Sequence, residues 1–272
     1  MTTMDFITEL FCMVDDRMQD VAKHSQATLH PSEIVTLGLL FAIKGVGNRA
    51  FYRWLLKDYL PLFPTLPHRT RLFRLFAVHS NWTERFLADP TFIGLADTFG
   101  IELIHPVREG RSPEQIGKKG ISNHRWIVGC KLCLVLNKYG LVVQWDCDTA
   151  NVHDSTFQPL IEYFDGKMVV FVDTGFHAKE GDPANMKVCS RWTWNERMMI
   201  ETVLSMLTVV CHLKKVGHRM WPCFRYRLAF TWTLDKAIAY PNATNLVSSV
   251  AIGLFDGVRV LVASGGALRP PF

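Results

Sequence analysis

The chain has 272 residues, 49% of them hydrophobic and 20% charged, with a formal net charge of +5 and a pI near 8.8. That composition excludes a disordered or fibrous polymer and supplies a sizeable core for one large domain or two. No apolar run reaches the roughly 18 residues of a membrane helix, the start Met1-Thr2-Thr3-Met4-Asp5 lacks the basic region of a signal peptide, and seven scattered cysteines form no disulfide framework and are expected as reduced core thiols.

The first ninety residues carry helical punctuation. Helices are expected over residues 5–21, over 31–44 between the opening Pro31-Ser32-Glu33 and a stop at Gly45, over 48–59, over 68–77 and over 81–87, with 61–67 a loop. The fourth bears Arg69, Arg71 and Arg74, which suits either a helix-turn-helix-like DNA reader or a plain scaffold helix in a region whose charge is nearly balanced.

From residue 91 the pattern shortens. Thr91-Phe92-Ile93-Gly94-Leu95-Ala96 predicts a buried strand closed by Asp97, and residues 105–120 predict a polar, basic loop. Strands are expected over 126–137 and 141–147, joined as a hairpin at Lys138-Tyr139-Gly140. Alternation along the first of them sends Cys130 and Cys133 to opposite faces, which argues against a zinc site. A helix over 154–164, capped by Asp154, a strand over 168–172 closed by Asp173, a short strand over 186–189 and a long helix over 194–213 complete the order. The fold class is α/β: a helical N-terminal region, then an RNase H-like mixed sheet flanked by helices. The expected divisions are 1–90, helical and a candidate DNA-binding region; 91–231, the catalytic domain; and 232–272, a tail of unclear structure.

Asp97 and Asp173 are thus expected at the ends of two buried strands, with a third acid on the long helix. In that helix Ile200, Val203, Leu204, Leu207 and Cys211 form one apolar stripe, and Glu201 lies at its margin beside Arg197 and Thr208. Glu196 is the competitor, but Thr193-x-x-Glu196 fits a capping box that would use its carboxylate at the helix start, so Glu201 is preferred. Three carboxylates so ordered suit a two-metal site, in which two Mg²⁺ ions clamp the attacking and leaving oxygens of a phosphodiester, and a few carboxylates suffice to hold ions that keep much of their water. Basic residues flank the acids: residues 105–139 hold seven Lys or Arg against two acids, and residues 202–231 hold no acid at all. Such blocks suit a polyanionic partner as well as a solvated basic face. His153 and His177 are expected to be structural, Asp146 and Asp148 to be strand-end or surface groups.

These residues resemble a known family. Trp194-x2-Arg197-x3-Glu201 resembles the Tyr-x2-Arg-x3-Glu-x6-Lys signature of DDE transposases from bacterial insertion sequences, Val172-Asp173-Thr174-Gly175-Phe176 resembles that family's second-acid motif, and Asp97-Thr98 its first. Thr149-Ala150-Asn151-Val152-His153-Asp154-Ser155, Phe11-Cys12-Met13-Val14-Asp15-Asp16 and Leu62-Phe63-Pro64-x-Leu66 extend the likeness to about residue 230. In this chain Trp194 stands for the signature's Tyr and Thr208 for its Lys, a residue thought to contact DNA. The resemblance implies Mg²⁺-dependent cleavage at element ends and strand transfer into target DNA, with Asp97, Asp173 and Glu201 holding two Mg²⁺ (or Mn²⁺) ions. It also implies that Lys118, Lys119, Arg125, Arg197, Lys214, Lys215 and Arg219 grip double-stranded DNA, and that a homodimer pairs two ends in the bacterial cytoplasm, at the nucleoid and away from any membrane. The alternatives are a catalytically inactive DNA-binding derivative, which Thr208 permits, and an RNase H-like nuclease without strand transfer.

Overall fold

The computed structural model describes residues 2–122, 125–189, 204, 208, 213, 216–218 and 220–238, with side chains as far as Trp232. Helix α1 (Thr3–Asp16) opens on a reciprocal cap, the Thr2 hydroxyl accepting from the Asp5 N–H while the Asp5 carboxylate accepts from the Thr2 N–H. It ends at Asp16, short of the expected 21. Helix α2 (Pro31–Lys44) starts on a proline, whose fixed φ suits a first turn, and stops at Gly45 as the sequence predicts. Nearly all of α2 is buried. Around it pack α1, α3 (Asn48–Asp58), α4 (Arg69–Val78) and, from the far end of the chain, a helix over Trp221–Ile238. The Phe41 ring is the hub: Phe51 and Phe73 each approach it at 5.2 Å edge-on, and Tyr226 stands 6.3 Å away. In α4, Leu72, Phe73 and Phe76 are buried while Arg71 and Arg74 face solvent.

Among the described residues the sheet has six strands: β1 (Ile93–Ile104), β2 (Lys118–Ser122), β3 (Arg125–Asn137), β4 (Val142–Thr149), β5 (Val169–Val172) and β6 (Met186–Val188). Central β1 runs antiparallel to β3 on one side and parallel to β5 on the other, and β6 continues parallel beyond β5. The outer edge of β3 takes β2 along residues 125–129 and β4 along residues 130–136, both antiparallel. Between β4 and β5 the chain forms a 3-10 turn, Asp154–Phe157, that runs into α5 (Gln158–Glu162), where one helix over 154–164 was expected. The C-terminal helix is α6 (Trp221–Ile238).

Two expectations about strands are corrected. Asp97 does not close its strand; β1 continues to Ile104, because Phe99, Ile101 and Leu103 keep one face apolar and pack on the helical side. Residues 105–120 are not loop throughout, since Lys118–Ser122 pair with the first residues of β3 and satisfy an edge that would otherwise carry bare N–H and C=O groups.

The sheet separates two apolar layers. On one face Ile101, Leu103, Cys130, Leu132, Leu134 and Leu136 merge with the N-terminal helices and α6 into a single core. On the other, Ala96, Cys133, Val135, Val170 and Val172 pack with Phe157, Ile161 and Phe164 of the α5 segment. Cys130 and Cys133 therefore sit in different layers, as the alternation requires. The boundary expected at residue 231 falls inside α6, whose Trp232 is buried in the shared core. Among the described residues no single helix is long and apolar enough to cross a membrane.

Candidate active site

Asp97 and Asp173 come together because β1 and β5 are adjacent and parallel. The last paired positions are Leu95 and Phe171; Asp97 lies two residues further along β1, and Asp173 two residues further along the chain, just past the end of β5, so the two leave that register level with one another. Both are half-buried. Each carboxylate is fixed by a backbone N–H: Asp97 Oδ1 accepts from Thr98 at 2.7 Å, and Asp173 Oδ1 accepts from Gly175 at 2.9 Å as the cap of the 3-10 turn Thr174–Phe176.

A third acid stands here that sequence reasoning took for a helix cap. Asp154 is not the helix cap; His153 takes that position, its ring accepting from the Ser155 N–H. The freed carboxylate turns toward the sheet, where Asp154 Oδ1 accepts from Thr98 Oγ1 at 2.9 Å and from Lys131 Nζ at 2.7 Å. Lys131 also donates to the Val152 carbonyl at 2.7 Å. The motif Asn151-Val152-His153-Asp154 held the signal, but one residue's shift in the cap concealed its use.

The negative charge is felt at Cys133, which pairs across the ladders with Thr98 on one side and Asp146 on the other. Its thiol is held well above the ordinary range, first by full burial and then by the charges of Asp97, Asp154 and Asp146. Asp146 and Asp148 lie within β4, where each caps the next backbone N–H, and Asp146 meets Arg225 at 3.2 Å with both side chains about half exposed. His177 pairs with Asp182 at 2.8 Å on the surface, and that hydrogen bond keeps the Asp182 carboxyl below its usual range.

Of the expected DNA contacts, Lys118, Lys119 and Arg125 lie exposed on the β2–β3 ribbon. Lys119 stands 5.2 Å from the centre of the exposed Trp126 ring and 3.8 Å from Glu109, while Arg125 reaches Glu102 at 3.8 Å. This ribbon starts level with Glu102 and runs past the Ile104 end of β1, which puts Lys118 roughly 17 Å and Arg125 roughly 30 Å along the strand from Asp97. Glu201, its competitor Glu196, Arg197, Lys214, Lys215 and Arg219 lie outside the described residues, as does the tail beyond Ile238. Leu204 and Thr208 are helical, Leu204 packs on the helical-side core, and the Thr208 hydroxyl donates to the Leu204 carbonyl at 2.7 Å.

Among the described residues no group of three His, Cys, Asp or Glu side chains is placed to hold a metal ion. Asp97 and Asp173 supply hard oxygen donors of the kind Mg²⁺ takes. A separate cavity of about 480 Å³, lined by Gly45–Asn48, Val216–His218 and Arg227 among others, shares no residue with the acids. Comparison with protein-family models, with curated proteins and with solved structures finds no match.

Proposed function

We propose that the chain is a DNA transposase with an RNase H-like catalytic domain, cutting at insertion-sequence ends and joining the freed 3′ hydroxyl to target DNA. The observation that carries this reading is the level placement of Asp97, in β1, and Asp173, just past the end of the adjacent parallel strand β5. The sheet supports it as well, because a central strand with antiparallel neighbours on one side and parallel neighbours on the other is the RNase H-like arrangement.

Asp97 and Asp173 would hold Mg²⁺ together with Glu201, three residues before Leu204. Bound there, the ion supplies positive charge to the attacking and leaving oxygens of the phosphodiester. The Thr98 and Gly175 N–H groups fix the rotation of the two carboxylates, so little reorganisation is left to the reacting complex. Lys118, Lys119 and Arg125 bind the phosphate backbone at a distance from the acids, which makes binding steeply salt-dependent. Arg197, Lys214, Lys215 and Arg219 extend that grip, and a homodimer pairs the two ends.

One observation favours a second reading, a DNA-binding derivative without catalysis. The Thr208 hydroxyl, at the position where the resembled signature has a DNA-contacting Lys, is engaged within its own helix. Incubating the protein with Mg²⁺, a duplex carrying an element end with its flank, and supercoiled target DNA separates the cases. Joined product upholds the transposase, cleavage without joining identifies a nuclease, and salt-sensitive binding without cleavage identifies the inactive derivative.

A further inference from the structure

Asp154 stands half-buried beside Asp173 with its two oxygens in different surroundings. Oδ1 is taken by the Lys131 ammonium at 2.7 Å and the Thr98 hydroxyl at 2.9 Å, and the side chains of Lys131 and Asp154 are only 14% and 22% exposed. Oδ2 faces the turn that carries Asp173. A Cβ added at Gly175 would stand 2.7 Å from Asp154 Oδ2 and 3.0 Å from Asp173 Oδ1, so the two carboxylate oxygens close on one point that only a glycine leaves open. Like charges so arranged repel in a half-buried site and favour a cation. Lys131 offsets part of that repulsion from the far side of Asp154 and, through the Val152 carbonyl, fixes the segment that presents it.

Resting on the transposase reading, we infer that Asp154 and Lys131 are positioning residues that set the divalent-cation affinity of the Asp97–Asp173 pair: Asp154 adds negative potential beside Asp173, and Lys131 limits it. Outer partners of metal ligands commonly change metal affinity 10–100-fold when removed. The two substitutions therefore act in opposite directions. Asp154→Asn keeps an oxygen for Thr98 but loses the charge, and Lys131→Met leaves the charge of Asp154 unopposed.

The test is an Mn²⁺ titration of the full chain followed by electron paramagnetic resonance, with melting temperatures recorded alongside. Asp154→Asn is expected to weaken Mn²⁺ binding roughly tenfold, Lys131→Met to tighten it, and Lys131→Arg, which keeps the charge, to leave it near wild type. If wild type binds Mn²⁺ in a manner that Asp173→Asn abolishes, yet Asp154→Asn and Lys131→Met change only the melting temperature, the pair is a structural ion pair and the inference is overturned. If wild type binds no Mn²⁺ that depends on Asp97 and Asp173, the metal-site reading itself fails. Should Asp154→Asn not fold, the sign of the Lys131→Met shift decides: tighter binding supports the inference, and unchanged or weaker binding overturns it.

Discussion

Gly175 has no side chain because Asp154 and Asp173 occupy the space a Cβ would need. Gly175→Ala is therefore expected to push the carboxylates apart, cutting end cleavage on the order of 100-fold while the melting temperature moves little. Unchanged cleavage would show that their spacing is immaterial. His218 makes a second residue-scale prediction. Burial, and secondarily the positive charge of Arg227, hold its pKa down at about 4, and among the described residues its buried Nε2 meets no hydrogen-bond partner. Because the folded value lies below the unfolded value of about 6.5, the unfolded chain binds more protons between the two. The stability is fully present above that unfolded value and is lost as pH falls toward 4, by up to about 3 kcal/mol. Chemical denaturation across that window checks it, and His218→Phe is expected to flatten this part of the profile. At this scale the sequence was most informative where a motif named a residue. Asp97 and Asp173 stand out in the sequence because each follows an apolar strand segment, and the fold sets those two strands side by side. Asp154 does not, because an acid before a helix has the signature of a cap, and only the tertiary fold reveals that the His153 ring holds the cap and frees the carboxylate.

Helix packing turns on Gly38 of α2. A Cβ there would overlap the ring of Phe230 in α6, and Phe230 is fully buried with Phe76 edge-on at 5.4 Å, so the ring has nowhere to move. Gly38→Ala is expected to cost about 1–3 kcal/mol in thermal or urea unfolding. In a double-mutant cycle Phe230→Leu should recover part of that loss, and strict additivity would contradict the contact. Helices α2 to α4 were legible because caps and stops are local, from Pro31 and Glu33 to Gly45, whereas the early end of α1 at Asp16 and the 3-10 form of Ser80–Phe86 were not. Strand β2 was not, because Lys118-Lys119-Gly120-Ile121-Ser122 has no apolar alternation and becomes a strand only by pairing with β3. The far half of β1 was missed: Phe99, Ile101 and Leu103 alternate as a strand does, but a polar residue at Asp97 looks like a strand end from sequence alone.

For the whole molecule, the helical region and one sheet face share a continuous core closed by α6. Removing residues 1–90 would expose that face, so a fragment of residues 91–272 is expected to aggregate or remain unfolded, and the full chain to melt in one calorimetric transition. Two separated transitions would contradict the shared core. This merging was illegible in the sequence, since it depends on contacts between α2 and α6, elements far apart in the chain. A mixed sheet was anticipated from the succession of elements, whereas the neighbour relation of β1 and β5 that levels the acids is a long-range pairing. On that relation the functional account stands. Its most direct test is Asp173→Asn assayed on an end-containing duplex with Mg²⁺: the account predicts a folded, DNA-binding protein whose cleavage and joining fall roughly 100- to 1,000-fold, on the scale of a lost transition-state stabiliser, and cleavage and joining at the wild-type rate would contradict it.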